Sequence, residues 1–439
     1  MFRRVGKVLV ALSGGPDSVT CLLLLRDLQE RLGFEVVAAH FDHQLRAESA
    51  AEMENVRALC DRLGVHCLTG EGDVRSVAAQ TRSGIEETAR RMRYQFLAFI
   101  AGNERADCIA TGHTRDDQAE TVLMRIVRGT GVRGIRGMLP VAAVPGAEAQ
   151  RLVRPLLVLT REDTLAICRE AGIEPILDPS NDDLAFGRNR LRHETLATLR
   201  SANPSIDDAL VGLAESAREV FAGVERQSFA VQPLERGPDG AIFDLTRVRD
   251  LPNEALMLVV EREAGFYSLP FEVNRTRVKN LRTVLGSGTG TVRFGQVWVD
   301  ASGGRVRIGP ELQPPEAFEP KVLNVPGITI AGPWRVQVST DPLAAEPGTG
   351  LAAVSLAGTK GAIRIRPLRP GDRIALHGRD AALKNVLANA KVPRWQREGL
   401  LAITDSERVL ALIGGPQKLA IRAEGDDALF VRVSPARPS

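Results

Sequence analysis

The sequence predicts an α/β fold: a parallel sheet covered by helices over residues 1–202, a mainly helical middle domain over 203–309, and a small α+β domain over 321–439. Three observations predict it. Short apolar, β-branched runs alternate with amphipathic runs of helical length through the N-terminal part, the pattern of a parallel sheet with helices on both faces. The first such pair is joined by Ser13-Gly14-Gly15-Pro16-Asp17-Ser18, so strand, tight loop and helix follow one another directly. The chain has 439 residues, 44% hydrophobic and 25% charged, enough for two or three domains that each bury a core.

Composition narrows the function classes. A formal charge of +3 is only mildly basic and does not by itself signal nucleic-acid binding; arginine clusters locally instead. The five cysteines (Cys21, Cys60, Cys67, Cys108, Cys168) include no Cys-x-x-Cys pair. That argues against a disulfide framework and against a metal cluster or zinc site, and for a reducing cytoplasm. No run approaches the ~20 apolar residues of a membrane span. Phe2-Arg3-Arg4 before an apolar run mimics a secretory signal only superficially, because the run is short and flows straight into the loop.

Val8 to Leu12 reads as the first strand and Val19 to Leu25 as the apolar body of the first helix. Between them, Gly14 and Gly15 lack Cβ atoms, so backbone N–H groups approach a ligand closely. Pro16 suits the first helical turn, and the positive end of the helix dipole then faces an anion in the loop. Ser13 and Ser18 add hydroxyl donors. Asp17, a carboxylate beside a phosphate site, implies an intervening Mg²⁺ ion. No Gly-Lys-Ser/Thr follows, so this is not a Walker A loop. Ser-Gly-Gly-x-Asp-Ser after a strand resembles the pyrophosphate loop of the N-type ATP pyrophosphatases, which split ATP into AMP and pyrophosphate.

Phe34 to Phe41 reads as the second strand, ending in His40-Phe41-Asp42-His43. A helix follows over Arg46 to Leu63, then a third strand over Val65 to Leu68, a long helix over Arg82 to Ile100 and a fourth strand over Asp107 to Thr111. Ligands bind such sheets beyond the carboxyl ends of the strands, where Ser13, His40 and His113 all fall. The segment Thr111-Gly112-His113-Thr114-Arg115-Asp116-Asp117-Gln118-Ala119-Glu120-Thr121 opens a helix with Asp117 and Glu120 on one face. Capping by first-turn carboxylates explains Asp116 better than Glu120. Glu86, Arg90 and Arg93 share a face of the preceding helix, either as a solvated ion pair or with an arginine aimed at substrate phosphate or carboxylate. His40, His43 and His113 have no further His or Cys spacing for a structural zinc.

Arg128-Gly129-Thr130-Gly131-Val132-Arg133-Gly134-Ile135-Arg136-Gly137 reads as a flexible loop suited to phosphate backbones. Asp178-Pro179-Ser180-Asn181 is a turn, and Arg188-Asn189-Arg190-Leu191-Arg192-His193 opens a basic helix. A helix from Asn203-Pro204 to about Phe229 leads out of the first domain. Asn253 to Gly265 and Asn274 to Leu285 are amphipathic helices, followed by hairpin-like runs around Val292 and Val306. Gly309 to Pro320 is a proline-rich linker. Strands resume near Leu323, the run Arg364 to Arg373 is strongly basic, and Lys384 leads a helix followed by Arg394 and Arg397.

Together these motifs resemble the tRNA(Ile)-lysidine synthases over nearly the whole chain, most strongly before residue 195. The family's His-x-x-His-x-Leu-Arg motif matches His40, His43, Leu45 and Arg46, with Asp42 and Gln44 where asparagine and glycine are usual. Its Gly-x-Glu…Ala-Arg…Arg-Tyr helix matches Gly84, Glu86, Ala89, Arg90, Arg93 and Tyr94. Its Thr-Gly-His…Asp-Asp…Glu-Thr motif matches Thr111 to Thr121, and its Arg-Pro-Leu, Asp-x-Ser-Asn and Arg-Asn-x-x-Arg signatures match Arg154, Asp178 and Arg188 to Arg192.

The resemblance implies a Rossmann-like (adenine nucleotide alpha hydrolase-like) catalytic domain that uses ATP and Mg²⁺ to join L-lysine to C2 of the wobble cytidine of tRNA(Ile) with a CAU anticodon. It implies ATP binding by Ser13, Gly14, Gly15, Pro16, Asp17, Ser18, His40, Gly112 and His113, with Asp17 on Mg²⁺. Catalysis falls to Asp17, Arg93, Asp117 and Glu120, the last three also binding lysine. Contact with tRNA falls to Arg128, Arg133, Arg188, Arg192, Lys384, Arg394 and Arg397. The rivals are another ATP pyrophosphatase, such as a tRNA thiolase or amide-forming synthetase, and a tRNA-binding protein with ATP as a structural ligand. The absent Cys-x-x-Cys and glutaminase segment count against the enzymes, and the Asp17, Asp117 and Glu120 set against the binding protein.

Overall fold

The computed structural model describes residues 1–44, 49–176, 187–313, 316–344, 350–355, 359–376, 379–414 and 428–436. The expected turn at Asp178 to Asn181, and Leu45 and Arg46, lie outside them. The described chain divides into two compact units, Met1–Ala222 and Gly223–Ser439, and the division falls inside a long helix, later than the expected domain end at residue 202.

The first unit is built on a six-stranded sheet. Its strands are β1 (Lys7–Ala11), β2 (Glu35–Asp42), β3 (His66–Glu71), β4 (Cys108–Thr111), β5 (Val141–Val144) and β6 (Ala147–Val153), in the order β3-β2-β1-β4-β6-β5. All neighbours run parallel except β5, which pairs antiparallel with β6. Alternate residues of β1 face opposite ways. Val8 and Val10 join a core with α1 (Pro16–Leu32), α2 (Ser49–Leu63) and Cys168, whereas Leu9 joins Tyr94 and Leu97 on the other side. Both faces are therefore covered, which is why these strands read as unbroken apolar runs. From β1 the chain crosses to β2 on one side while β4 lies on the other. The loop after β1 is thus the point where strand order reverses, the place such sheets open to ligands.

The remaining helices of this unit are α3 (Val74–Thr81), α4 (Ile85–Asn103), α5 (Arg115–Val127), α6 (Val132–Ile135), α7 (Arg161–Glu170), α8 (Gly187–Arg190), α9 (Ala197–Ala202) and α10 (Ile206–Ala230). The expected helix over Arg82 to Ile100 begins at Ile85, and an additional helix, α3, precedes it. The two are separated at Arg82, whose φ of 52° terminates α3 in a left-handed cap. The expected basic helix becomes α8 followed by a π-helical stretch, Leu191–Leu196.

The arginine-rich segment 128–137 is not the unfolded loop expected from its glycines. It contains α6, and Arg125 Nη1 donates to the carbonyls of Gly134 (2.7 Å) and Gly137 (2.8 Å). Gln118 clamps its end, accepting from Met138 N at 2.7 Å and donating to Met138 O at 3.2 Å. Buried Arg154 also donates to Leu139 O at 2.6 Å. Polar side chains on neighbouring elements, rather than apolar residues of the segment itself, order this backbone. Arg128 and Arg133 remain exposed on it.

In the second unit, β7 (Glu235–Gly237), β8 (Gly240–Asp244), β9 (Gly290–Phe294), β10 (Val297–Ser302) and β11 (Arg305–Gly309) form an antiparallel sheet ordered β7-β8-β11-β10-β9. It shares a core with α11 (Leu245–Arg249), α12 (Asn253–Phe266) and α13 (Arg275–Ser287). Asn274 caps α13 by accepting from Arg277 N at 2.8 Å, so the helix starts where the sequence indicates. Arg307 is nearly inaccessible and pairs with Asp300 at 2.6 Å, and fully buried Glu263 receives Arg236 and Arg262. These arginines are structural.

Two further sheets follow, ordered β12-β16-β19-β20-β17-β18 and β13-β14-β21-β15. Their strands are β12 (Lys321–Val322), β13 (Gly327–Ala331), β14 (Trp334–Ser339), β15 (Gly350–Ser355), β16 (Arg364–Pro367), β17 (Arg373–Leu376), β18 (Arg379–Ala382), β19 (Leu401–Thr404), β20 (Val409–Ile413) and β21 (Ala428–Pro435). Two short helices, α14 (Leu383–Asn389) and α15 (Arg394–Arg397), complete the expected α+β part. No described helix is long and apolar enough to cross a membrane.

Candidate active site

Three helices begin near the carboxyl edge of the parallel sheet, and their N-termini differ. Thr114 caps α5 and Thr160 caps α7, each in a reciprocal capping box with the aspartate three residues on, Asp117 and Asp163. In α1 the cap position is Gly15, Pro16 follows, and no side chain caps the helix. Its first-turn N–H groups and dipole are therefore left to an external anion. Gly14 has a φ of 85°, a left-handed conformation that favours glycine. Ser18 staples the loop: its Oγ donates to Gly15 O at 3.0 Å and accepts from Ser13 N and Ser13 Oγ, both at 3.1 Å. The Ser18 hydroxyl expected to face a ligand thus shapes the cradle from within.

Gly112 is required by contact rather than by conformation. A Cβ there would lie 2.5 Å from Asp17 O and 2.8 Å from Ser18 N, both backbone atoms at the start of α1. Gly112→Ala must push the two loops apart, at a cost of about 1–3 kcal/mol. We expect the variant to bind ATP about fivefold to 10²-fold more weakly if that cost falls on the ATP-competent loop, because each 1.4 kcal/mol is a factor of ten. Isothermal titration with ATP measures this, and parent-like affinity would show that the contact is not needed.

His40, on β2, is buried and its Nδ1 lies 2.9 Å from Leu12 O. Burial lowers its pKa, so the ring is neutral. The carbonyl requires Nδ1 to carry the proton, leaving the Nε2 lone pair as an acceptor. His113 Nδ1 lies 2.8 Å from Thr111 Oγ1. At the end of β2 the chain bends at Asp42 and Gln44. Asp42 Oδ1 accepts from Gln44 N at 2.8 Å, and Gln44 takes a φ of 50° where glycine is usual. His43 stacks edge-on against Phe41, and burial, assisted by the charge of Arg93, lowers its pKa to about 4. Arg93 itself lies over the Tyr94 ring at 5.6 Å, on the α4 side of this turn.

The carboxylates converge. Asp17 Oδ1 accepts from Thr164 Oγ1 at 2.6 Å. Burial raises the Asp17 pKa, while Thr164 and Arg161 oppose the shift. Asp117, not Asp116, is the capping carboxylate of α5: its Oδ2 accepts from Thr114 N and Oγ1, and its Oδ1 faces Arg161 Nη2 at 3.3 Å. Asp116 instead receives the Arg161 backbone N–H at 2.8 Å. Glu120, 2% exposed at its side chain, forms a two-point pair with Arg192, Oε1 to Nε at 2.5 Å and Oε2 to Nη2 at 3.0 Å. Burial opposes the Arg192 charge, but Glu120 outweighs it and raises the pKa further. Arg192, expected to contact tRNA, is thus drawn into the acidic cluster. The side chain of Arg188 lies outside the described residues.

Sequence reasoning missed Arg161 entirely. It opens α7, and its guanidinium lies 3.6 Å from Asp17, 3.3 Å from Asp117 and 3.8 Å from Glu120. One cation therefore reaches the carboxylate of the phosphate loop and, on α5, Asp117 and Glu120. Among the described residues, no three His, Cys, Asp or Glu side chains are grouped so as to hold a metal by themselves. Asp17 fits a magnesium ion that takes its other ligands from phosphate and water, the usual Mg²⁺ arrangement.

In the second unit, Lys384 and Arg394 are exposed, whereas half-buried Arg397 donates from Nε to Val392 O at 2.9 Å. A separate cleft of about 370 Å³ is lined by Arg364, Arg366, Arg369, Arg373 and Arg408. Arg366 is committed there to a two-point pair with Asp372.

Known proteins resemble this chain along most of its length. Residues 3–199 match the PP-loop domain family and residues 363–429 the TilS substrate C-terminal domain family. A tRNA(Ile)-lysidine synthase from Thermotoga sp. (strain RQ2) is 31% identical over 411 residues, covering 93% of this chain and 91% of that protein. Another from Geobacillus kaustophilus is 30% identical over 441 residues, covering 95% and 92%. A U34-tRNA thiolase from Methanococcus maripaludis aligns with a TM-score of 0.42 at 16% identity, covering 49% of this chain and 74% of that one, too distant to bear on function. With similarity that runs through both units and includes the C-terminal domain, the chain belongs to the tRNA(Ile)-lysidine synthase family.

Proposed function

We propose that this protein joins L-lysine to C2 of the wobble cytidine of a CAU-anticodon tRNA(Ile), at the expense of ATP, releasing AMP and pyrophosphate in the cytoplasm. The product changes codon reading from AUG to AUA and tRNA identity from methionine to isoleucine. The observation that carries this reading is the reach of Arg161, which brings the phosphate-loop carboxylate and the α5 carboxylates within one side chain of each other. An activated nucleotide and an amine then meet in one crevice.

The C2 oxygen of cytosine is a poor leaving group, and adenylation converts it to a good one. The uncapped α1 terminus and Gly14-Gly15 backbone bind the phosphates, and Asp17 holds Mg²⁺. When bound, Mg²⁺ neutralises charge on the departing pyrophosphate. Neutral His40 presents an acceptor at the rim, and His113 and Gly112 line the same loop edge. Asp117 and Glu120 bind an ammonium group of lysine, and one accepts a proton as the ε-amine attacks. Arg93 holds the α-carboxylate by a forked contact. The target base is reachable because anticodon bases are single-stranded.

Incubation with ATP, radiolabelled lysine and purified tRNAs tests the reading. Label should enter only the CAU-anticodon tRNA(Ile), and sulfur incorporation without lysine incorporation would favour a thiolase instead.

Lys384, Arg394 and Arg397, with Arg128 and Arg133 of the first unit, are the proposed phosphate contacts to tRNA. Replacing Lys384, Arg394 and Arg397 together by glutamine should flatten the log–log salt dependence of tRNA binding by about one unit per lost contact. Arg397 should contribute least, since its guanidinium is half-buried. An unchanged slope in filter-binding titrations would remove this surface from the interface.

A further inference from the structure

Arg161 has no role in the site as read from the motifs, yet its guanidinium faces Asp17, Asp117 and Glu120 together. Its backbone is pinned: Arg161 N donates to Asp116 Oδ2 at 2.8 Å, and Arg115 N donates to Leu159 O at 2.8 Å just before α7 begins. The side chain then fans out. Nε faces Asp17 at 3.6 Å, Nη2 faces Asp117 at 3.3 Å and Nη1 faces Glu120 at 3.8 Å. None of these matches the 2.5 Å contact of Arg192 with Glu120, and the Arg161 side chain keeps 32% of its surface exposed. A guanidinium shared at such distances among three carboxylates can be redistributed among them with little loss.

We propose that Arg161 is a positioning residue that couples the nucleotide loop to the α5 carboxylates, so that lysine and ATP bind better together than apart. This rests on the functional reading above. An ammonium arriving at Asp117 and Glu120 replaces the Arg161 charge there, and the guanidinium turns toward Asp17 and the nucleotide phosphates. Phosphate on the Asp17 side draws Arg161 off Asp117 and Glu120 in the same way, opening Asp117 Oδ1 to the ammonium while Arg192 keeps its pair with Glu120. The coupling is reciprocal by linkage.

Titration calorimetry of L-lysine into the full-length protein, with and without a saturating non-cleavable α,β-methylene analogue of ATP and Mg²⁺, tests this. In the parent the nucleotide should tighten lysine binding at least about fivefold, the lower end of ordinary coupling. In Arg161→Gln that ratio should fall to near one, while lysine affinity in the absence of nucleotide is kept or improved, because a competing cation is gone. A merely structural residue would weaken both titrations instead. Arg161→Lys keeps the charge but reaches one carboxylate at a time, so its coupling should be intermediate. If the glutamine variant does not fold, the lysine variant decides, and a parent-like ratio there overturns the proposal. The parent ratio persisting in Arg161→Gln, loss of lysine binding in both of its titrations, or no coupling in the parent overturns it equally. A parent protein that never incorporates lysine into tRNA would overturn the functional reading beneath it, a distinct outcome.

Discussion

Asp17→Asn should fold as the parent does and form AMP and pyrophosphate at least about 10³-fold more slowly, the scale set by losing a preorganised electrostatic group in a phosphoryl site. The amide keeps an oxygen to accept from Thr164 Oγ1, which holds Asp17 at 2.6 Å, so the loop geometry survives. Burial already disfavours the Asp17 charge, and removing that charge relieves the burial while giving up a 3.6 Å contact with Arg161. The melting temperature should therefore stay level or rise slightly while turnover collapses. Excess Mg²⁺ should not restore activity, because an amide is a weak ligand for a hard divalent ion. Measurement of AMP release against Mg²⁺ concentration checks this, and near-parent turnover would remove Asp17 as the metal ligand.

The second large effect concerns the α5 carboxylates. Asp117→Asn and Glu120→Gln should keep ATP-dependent adenylation of tRNA but raise the lysine requirement by about 10² or more, since a charge-assisted contact to the ammonium is lost. The structure separates the two variants in stability. Asp117 has a capping oxygen toward Thr114 and a second toward Arg161, so asparagine can preserve the cap. Glu120 offers both oxygens to Arg192 in a buried pair, and glutamine can accept only one of those bonds. Leaving part of a buried cation unpaired costs up to about 3–5 kcal/mol, so Glu120→Gln should melt measurably lower than Asp117→Asn. Lysine titrations of AMP release, read beside thermal melts, check both statements. Loss of ATP binding with lysine dependence unchanged would assign these carboxylates to the metal instead.

Much of the N-terminal unit is legible in the sequence because its physics is local. Val8 to Leu12 and Gly14-Gly15 signal strand and turn by their own residue types, and in the second unit Asn274 marks the start of α13 by its capping chemistry alone. What is not legible depends on partners far along the chain. The order of segment 128–137 comes from Gln118, Arg125 and Arg154, whose side chains reach it from other elements. Arg161 stands in Thr160-Arg161-Glu162-Asp163, where a capping box accounts for Thr160 and Asp163 and makes the arginine between them look incidental. Only the adjacency of β1, β4 and β6 brings its helix to Asp17 and Asp117. Arg192 lies in a basic run and the family resemblance implies tRNA contact for it, but its buried partner Glu120 stands 72 residues earlier. Gly112 belongs to a motif, but its reason, the backbone of Asp17 against it, exists only in the folded sheet.

In the proposed reaction one crevice activates the wobble cytidine with ATP and delivers lysine to it. The most direct test is the stoichiometry of a single reaction: AMP, pyrophosphate and lysine incorporated into CAU-anticodon tRNA(Ile), followed by nuclease digestion to locate the labelled nucleoside. Equal amounts of all three, with the label confined to the wobble position, are the predicted result. Release of ADP and phosphate, or AMP formed with no lysine at the wobble cytidine, would contradict it.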